Sequence, residues 1–293
     1  MDFRDLKYFA VIAEEGHVGR AAERLFKTQP ALTKCIDRLE EQLGAPLFER
    51  VGRGIRLTPV GEALLHRARR ISLMMDETAR EIGDYAHGRE GNIRLGCIPT
   101  LAEHILPGIC QQLLAEAEKV TIDLKVSMND ALLEGLKAGE LDVVLGPMIQ
   151  DDELFHTEEI MRDEMVVMAS PNHPIFDRKI RLRHLLEYQW VLPAQSVLSR
   201  QWLDNVFDRH HLSRPTVQIT PTVLNMIMPL IERSNLLGFA SKLNLLAGRN
   251  HLREVVLKET TMLRRMGLSY RRDTYLSPAA LRLIKIIRGT TLD

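Results

Sequence analysis

Three polar side chains at helical spacing carry the donors and acceptors that bind the edges of DNA bases. Gln29, Thr33 and Lys34 lie on one predicted helix, with Asp37 one turn further along. Glutamine can form two hydrogen bonds with adenine, threonine offers a hydroxyl and a methyl group, and lysine reaches guanine or a phosphate. The pattern favours DNA binding over the alternative, a helix face that is only solvated.

The helix that carries these side chains is the third of three short predicted helices. The first spans residues 5–14 and the second residues 18–25. Thr28 can cap the third helix, and Pro30 fits its first turn, where no intrahelical N–H bond is lost. The helix ends at Gly44, and its predicted buried stripe is Leu32, Ile36, Leu39 and Leu43. Two short helices, a tight turn and a third helix with a polar face indicate a helix-turn-helix.

A predicted hairpin with three arginines follows the third helix. Apolar residues flank a Gly-x-Gly tip between Pro46 and Leu57, which predicts a two-stranded wing. Its arginines are Arg50, Arg53 and Arg56. Basic residues exceed acidic ones by five between Arg20 and Arg70, although the whole chain holds 39 of each. Such a local basic patch suits contacts with phosphates and the minor groove.

A long helix is predicted over residues 58–86, after the wing. Thr58 and Pro59 form its start, and Gly88 ends it. A heptad seam runs along it through Leu64, Ala68, Ile71, Met75, Thr78, Ile82 and Tyr85. The seam favours pairing with a second copy of the chain, and the alternative is packing against the helix's own domain.

The chain from Gly91 onward alternates short apolar runs with helical segments, which is typical of the α/β class. The expected strands are residues 92–98, 120–126, 141–145, 164–169, 189–192, 217–219, 236–240, 252–257 and 267–271. The expected helices are residues 103–118, 130–138, 197–209, 222–233 and 278–288. The first three strands alternate with helices and should be parallel. The pattern therefore predicts two α/β lobes.

A ligand of a two-lobed α/β domain is expected in the crevice between the lobes, near the ends of strands and the starts of helices. The candidate residues in those loops are Pro99, Thr100, Ser127, Met128, Asn129, Pro147, Gln195, Ser196 and Thr222. Thr100 could cap the following helix and bond an anionic ligand group. The alternative for each residue is an ordinary helix cap.

Several other classes of protein find less support. The chain has no His-Glu-x-x-His, P-loop, Gly-x-Ser-x-Gly or strand-linked Gly-x-Gly-x-x-Gly motif, so an α/β enzyme is the weaker alternative. The His210-His211 pair has no cysteine or carboxylate at zinc spacing, and no metal site or cofactor is expected. Cys35, Cys97 and Cys110 form no disulfide framework and fit a reducing cytoplasm, although Cys97 and Cys110 leave a thiol-based redox sensor open.

No membrane contact is expected either. No apolar stretch reaches the ~18–20 residues that span a bilayer. The polar start, Met1 to Asp5, does not look like a signal peptide, which also argues against a solute-binding protein.

The first 88 residues resemble the DNA-binding region of LysR-type transcriptional regulators. The matching motifs are Asp5 to Gly16, Arg20-Ala21-Ala22-Glu23-Arg24-Leu25, Thr28-Gln29-Pro30-Ala31-Leu32-Thr33, Leu39 to Gly44, Pro46-Leu47-Phe48-Glu49-Arg50 and Leu57-Thr58-Pro59-Val60-Gly61. Departures from the family's pattern are threonines in place of serines at Thr28 and Thr33, a cysteine at Cys35, and His17-Val18-Gly19 at the start of the second helix.

The resemblance extends over the whole chain and implies a domain order. A winged helix-turn-helix is expected over 1–58 and a linker and dimerisation helix over 59–88. A two-lobed effector domain like that of periplasmic binding proteins would follow, with lobe I in 89–162 and 267–293 and lobe II in 163–266. The family's peroxide-sensing branch uses a cysteine pair in the second lobe, and this chain has no cysteine after Cys110.

The resemblance also implies partners. These are an operator in double-stranded DNA, RNA polymerase, a small, often anionic effector, and further copies of the chain in a dimer and a tetramer. The candidate DNA-binding residues are Arg20, Thr28, Gln29, Pro30, Thr33, Lys34, Arg38, Arg50, Arg53 and Arg56.

Overall fold

A computed structural model gives the fold and describes residues 1–52, 54–87, 91–149, 152–222, 226–246, 251–272 and 274–290. The chain divides into two compact units, Met1–Gly88 and Arg89–Asp293. Each unit has its own hydrophobic core.

The first unit begins with three helices close to the predicted ones. They are α1 (Phe3–Glu15), α2 (Val18–Arg24) and α3 (Gln29–Leu43). The Asp2 carboxylate caps α1 by accepting the Asp5 N–H at 2.8 Å. Gly16 and Gly44 end α1 and α3 in the left-handed conformation, which glycine adopts without steric cost.

The buried stripe of α3 differs from the predicted stripe at one position. Leu32 and Leu39 are fully buried and Ile36 nearly so, but Leu43 is 41% exposed, and Cys35 is buried instead. Leu43 is the last helical residue, so its turn extends past the core, whereas Cys35 lies on the side that faces α1 and bonds Asp5.

The turn between α2 and α3 contains an exposed phenylalanine in a strained conformation. Phe26 has a φ of 53° and its side chain is 93% exposed. A left-handed backbone costs a residue with a Cβ ~1 kcal/mol, and asparagine tolerates it better. Phe26→Asn should therefore raise the unfolding free energy of the first unit by about 0.5–1 kcal/mol in urea denaturation. Lys27→Asn, beside it but without a positive φ, is the control, and an equal gain there would contradict the explanation.

The predicted wing is present as two antiparallel strands, β1 (Phe48–Val51) and β2 (Gly54–Leu57). The Ile55 N–H donates to the Gly16 carbonyl at 3.0 Å, which ties the wing to the end of α1. A Cβ at Gly54 would lie 2.9 Å from the same carbonyl, so a larger residue there would push the wing away.

The long helix α4 (Pro59–His87) follows the wing, and the Thr58 hydroxyl caps it by accepting the Gly61 N–H at 3.0 Å. The predicted seam divides into two parts. Ala68 is buried and Leu64 half-buried in the core that α4 shares with α1, so these two side chains pack inside their own unit and not along an intermolecular seam.

The rest of the seam is exposed. Ile71, Met75 and Ile82 are 40%, 51% and 60% exposed, and the neighbouring Met74 is 65% exposed. The Tyr85 side chain lies outside the described residues. An unpaired apolar stripe therefore begins where α4 leaves the core.

The second unit begins with the predicted parallel strands. β3 (Asn92–Cys97) lies between β4 (Thr121–Val126) and β5 (Val143–Pro147), and all three are parallel. The single helix expected over 103–118 is two helices, α5 (Pro99–His104) and α6 (Leu106–Glu116), because Pro107 lacks the N–H that a continuous helix requires. Helix α7 (Asn129–Lys137) precedes β5.

Two long antiparallel strands, β6 (Phe155–Ala169) and β11 (Met262–Arg271), continue this sheet and were predicted too short. Charged residues interrupt the apolar pattern of these strands, and ion pairs hold them. Arg288 Nε donates to the Glu158 carboxylate at 2.7 Å, and Arg265 Nε donates to the Glu159 carboxylate at 2.6 Å.

The remaining strands are β7 (Trp190–Val191), β8 (Val217–Ile219), β9 (Leu237–Ser241) and β10 (Arg253–Glu254). The remaining helices are α8 (Leu198–Arg209), α9 (Ile227–Glu232), α10 (Leu243–Leu246) and α11 (Pro278–Gly289). The strand expected over 252–257 is reduced to two residues, those that pair with β6. The helix expected over 222–233 is reduced to α9 within the described residues.

One nine-stranded sheet joins these elements, in the order β4-β3-β5-β11-β6-β9-β7-β8, with β10 beside β6. The buried apolar residues form one cluster over residues 93–161 and 266–287 and two more over residues 165–262. Strands β6 and β11 contribute residues to the first cluster and also to the clusters of residues 165–262. They therefore connect two separately packed parts of the second unit.

Candidate functional site

The start of α3 presents an exposed polar face. Gln29, Thr33 and Lys34 are all exposed, as are Thr28 and Pro30 on either side of Gln29. Thr28 occupies the cap position but forms no side-chain cap bond, and the Thr33 hydroxyl donates to the Gln29 carbonyl at 3.1 Å. Thr33 therefore keeps its methyl group and oxygen lone pairs, and Gln29 keeps its amide, for an external partner.

A histidine caps the second helix, at the position where the sequence departs from the family pattern. His17 Nδ1 accepts the Gly19 N–H at 3.0 Å and the Arg20 N–H at 3.4 Å. A Cβ at residue 19 would lie 3.0 Å from the His17 ring, so a larger residue there would press against the capping imidazole. The His17 imidazole is therefore the side-chain cap of α2.

Arg38 is held inside its own unit. Its guanidinium donates to the buried Asp5 carboxylate through Nε at 3.2 Å and through Nη2. Burial alone would raise the pKa of the Asp5 carboxyl, but the hydrogen bonds and charge of Arg38 bring this pKa below its usual value. Arg38 is half exposed, so its role here is to secure α3 to α1, and its contact with DNA stays a prediction.

The other candidate arginines differ in their partners. Arg20 bonds the Glu15 carbonyl, and Arg56 donates to Glu49 across the wing at 2.8 Å. Arg50 is exposed on β1. Arg53, at the tip of the wing, lies outside the described residues. Within the described part of the wing, Arg50 is therefore an exposed arginine that is not held in an ion pair as Arg56 is.

The second unit contains a cavity of about 610 Å³. Residues from the ends of β3, β4 and β5 line one side of it, and residues around the starts of α8 and α9 line the other. Six of the nine candidate ligand residues line it: Pro99, Thr100, Met128, Asn129, Pro147 and Ser196. Ser127, Gln195 and Thr222 do not line it.

The role of Thr100 as a helix cap is wrong. Ile98 holds the cap position of α5, and Thr100 is the second helical residue. The cap residues of α7 and α8 are Met128 and Val197, which have no capping side chain. The Thr100 and Ser196 hydroxyls are therefore not used in capping.

The predicted loops account for only part of the lining. Strands β6, β9 and β11 contribute Met165, Phe239, Ser241, Met262 and Arg264, which sequence reasoning missed. The loops were identifiable from strand-to-helix transitions, whereas these residues enter the cavity through antiparallel pairing of distant strands.

A buried polar network lies beside the cavity. The Asp163 carboxylate accepts from the Ser241 hydroxyl at 2.6 Å and from Arg264 Nε at 3.1 Å. The Asn244 amide donates to the Ser241 carbonyl at 2.9 Å, and its oxygen accepts from His104 Nε2 at 3.1 Å. Because His104 belongs to α5 and Asn244 to α10, the network joins elements from both packed parts.

The cysteines do not have the properties of reactive thiolates. Burial raises the pKa of the Cys97 thiol to about 12 and also raises the pKa of Cys110. Burial and the Asp5 charge raise the pKa of Cys35 to about 12. The thiolate is the reactive form, so these environments disfavour redox sensing.

The described residues show neither a metal-binding cluster nor a membrane-spanning helix. No three His, Cys, Asp or Glu side chains in the described ranges form a group that could hold a metal ion. Among the same residues, no helix combines the length and the apolar composition that crossing a membrane demands.

Comparison with known families gives two matches. Residues 3–62 match the family model described as the bacterial regulatory helix-turn-helix protein, lysR family. Residues 86–291 match the model described as the LysR substrate binding domain.

Individual proteins are also similar to the chain. The HTH-type transcriptional regulator YdcI of Escherichia coli is 34% identical over 208 residues, which cover 69% of this chain and 66% of that protein. The regulator GalR of Pseudomonas putida is 28% identical over 97% of this chain and 73% of its own length. The aligned region thus spans just under two thirds of YdcI.

The fold resembles a solved regulator bound to DNA. Full-length CbnR, in a crystal structure with its target DNA, superposes with a TM-score of 0.63 at 21% identity and 99% coverage of both chains.

Proposed function

The chain belongs to the LysR family of bacterial regulatory helix-turn-helix proteins, and on this basis we propose that it is a sequence-specific transcriptional regulator controlled by a small-molecule effector. The observation that carries the proposal is the exposed polar face of α3, next to a basic wing, in a chain that also contains a cavity in its second unit. We expect it to catalyse no reaction.

The α3 face reads the operator. Gln29, Thr33 and Lys34 contact base edges, and Arg50 and Arg20 contact phosphates, which position the protein without reading sequence. Thr28, Pro30, Arg38, Arg53 and Arg56 complete the proposed surface. The free amide of Gln29 supports this assignment.

The proposed divisions are 1–58 for the winged helix-turn-helix, 59–88 for the linker, 89–162 with 267–293 for lobe I, and 163–266 for lobe II. The separate apolar clusters at the two ends of β6 and β11 support the two lobes. The exposed stripe on α4 supports a dimer, and the second units add the contacts of a homotetramer. The protein works in the cytoplasm, where the DNA and RNA polymerase are.

The cavity holds the effector. A ligand that binds one arrangement of the lobes better than another shifts the equilibrium between them. The change passes through the subunit interfaces to the spacing of the DNA-reading units, alters how far the promoter is bent, and thereby changes access for RNA polymerase. A thiol-based switch is the weaker candidate because burial raises the thiol pKa values.

Thr100→Val should blunt the effector response while operator affinity stays near wild type. The valine keeps the side chain's shape but removes a hydroxyl that lines the cavity, and a lost hydrogen bond of ~1.5 kcal/mol raises the half-maximal effector concentration roughly tenfold. The measurement is a footprint titrated with a compound that raises the melting temperature of the full-length protein.

Ser127→Ala is the matched control, because Ser127 lies in a neighbouring loop but does not line the cavity. If Thr100→Val and Ser196→Ala both left the half-maximal concentration unchanged, the effector would bind elsewhere.

A further inference from the structure

The cavity is rich in methionine. Five of the chain's 12 methionines line it: Met128, Met148, Met165, Met228 and Met262. Thioethers are polarisable and flexible, and they make favourable contacts with aromatic rings. Their concentration around one cavity indicates an aromatic ligand more than a sugar or a short polar acid.

Two of these methionines lie side by side on the sheet. Met165 pairs with Met262 across β6 and β11, and with Ser241 across β6 and β9. Cross-strand partners share one face of a sheet, so these three side chains form a row. Phe239, two residues before Ser241, lies on the same face and also lines the cavity. The Ser241 hydroxyl is engaged by Asp163, and the two methionines and Phe239 form an apolar floor on which a flat ring can lie.

A polar row adjoins this floor. Asp163 and Arg264 pair across the same strands, two residues from Met165 and Met262. Arg264 donates to Asp163 through Nε and Nη2, which leaves its Nη1 group without a hydrogen bond to any other residue within the described ranges. Since Arg264 lines the cavity, Nη1 is available to a carboxylate of the ligand.

Two carboxylates limit the ligand to one acid group. Glu103 and Asp130 also line the cavity, so a second carboxylate on the ligand would meet like charge. Arg265 also lines the cavity, but it lies on the opposite face of β11 from Met262 and Arg264. The single acid group of a ligand on the methionine row therefore belongs near Arg264, and the rest of the molecule should be uncharged.

The size of the cavity and its rim favour more than one ring. A volume of about 610 Å³ lies in the middle of the range for pockets that hold drug-sized ligands. Leu198 and Leu263 also line it and are 61% and 74% exposed, so apolar surface at its edge is uncovered. A single small ring would leave much of this surface in water.

We infer that the cavity binds an aromatic monocarboxylic acid of about two fused rings, with the rings on the Met165–Met262 row and the carboxylate at Arg264. The inference rests on the proposed function, in which this cavity is the effector site.

Isothermal titration calorimetry on the full-length protein tests the ligand class with four probes. 2-Naphthoate should bind with one site per chain. Decahydro-2-naphthoate, which keeps the acid but loses aromaticity, should bind about three- to tenfold more weakly. 2-Naphthamide, which keeps the rings but loses the charge, should bind at least about tenfold more weakly. Succinate should not bind. Equal binding of the aromatic and saturated acids, or binding of succinate alone, would overturn the inference.

A methionine variant tests the floor itself. Met165→Leu combined with Met262→Leu conserves volume, so it should bring the affinity for 2-naphthoate close to that for decahydro-2-naphthoate without weakening the latter. Met168→Leu is the control, since Met168 is buried on the same strand but does not line the cavity. A double variant that keeps the full aromatic preference would contradict the proposed floor.

Operator binding by the same samples separates this inference from the proposed function. If none of the four probes bound while specific DNA binding persisted, the ligand class would be wrong and the regulator assignment would stand. If the naphthoate bound as expected and specific DNA binding were absent, the regulator assignment would be the one to fail.

Discussion

A double variant, Met75→Glu with Ile82→Glu, should lose at least about a hundredfold in affinity for DNA that carries two half-sites, since linked sites gain ~10²–10⁴-fold from avidity. The two side chains are 51% and 60% exposed and seven residues apart on one face of α4. Glutamates there would place like charges opposite each other in a paired helix and remove the apolar contact. Light scattering and fluorescence anisotropy on the full-length protein measure the assembly state and the affinity.

His66→Glu is the control for added negative charge, because His66 is exposed on the opposite face of the same helix. It should keep the dimer and lose little affinity for paired half-sites. Leu64 is unsuitable as a test position, since its side chain packs in the core of its own unit. A monodisperse monomer of the wild-type chain at micromolar concentration, with paired-site affinity intact, would contradict the pairing.

Gln29→Ala should cost about 1–3 kcal/mol of discrimination at particular base pairs, or roughly 5- to 150-fold in specific affinity. The variant removes a free amide from the exposed start of α3 without removing a buried contact. Affinity for unrelated DNA should hardly change, because phosphate contacts dominate it. Titrations against the operator and its single-base variants, all at one salt concentration, measure the effect.

Arg50→Ala provides the contrast. This exposed wing arginine should contribute equally to the binding of every DNA sequence. Its loss should therefore weaken every complex and lower the magnitude of the slope of log K against log salt by about 0.9. Should Gln29→Ala behave like Arg50→Ala, or have no effect on either kind of DNA, α3 would not be the reading helix.

Local signals account for the parts that could be predicted. Helix ends are determined by residues within one turn of the end, so the bounds of α1 to α4 were predicted within two residues. The residues that mark these ends are Gly16, Gly44, Thr58 and Pro59. Likewise, β3 and β4 are recognisable from their apolar sequences. Thr100 and Asn129 follow these two strands, and both residues line the cavity.

Distant pairing accounts for much of what was missed. Asp163 and Arg264 are 101 residues apart, and no local pattern indicates that they share a hydrogen bond beside the cavity. The acidic run in β6 looks like a loop until Arg265 and Arg288 are seen to pair with it. The packing of Leu64 and Ala68 depends on where α1 lies. A heptad pattern alone therefore could not show which seam residues pack inside the unit and which remain exposed.

The most direct test of the account is selection of operator DNA from a random-sequence library by the full-length protein, followed by competition titrations. We expect an enriched motif with two related half-sites and an affinity at least ~10³-fold above that for scrambled DNA at physiological salt. Equal affinity for the selected and scrambled sequences, or no enriched motif after selection, would contradict sequence-specific regulation by this chain.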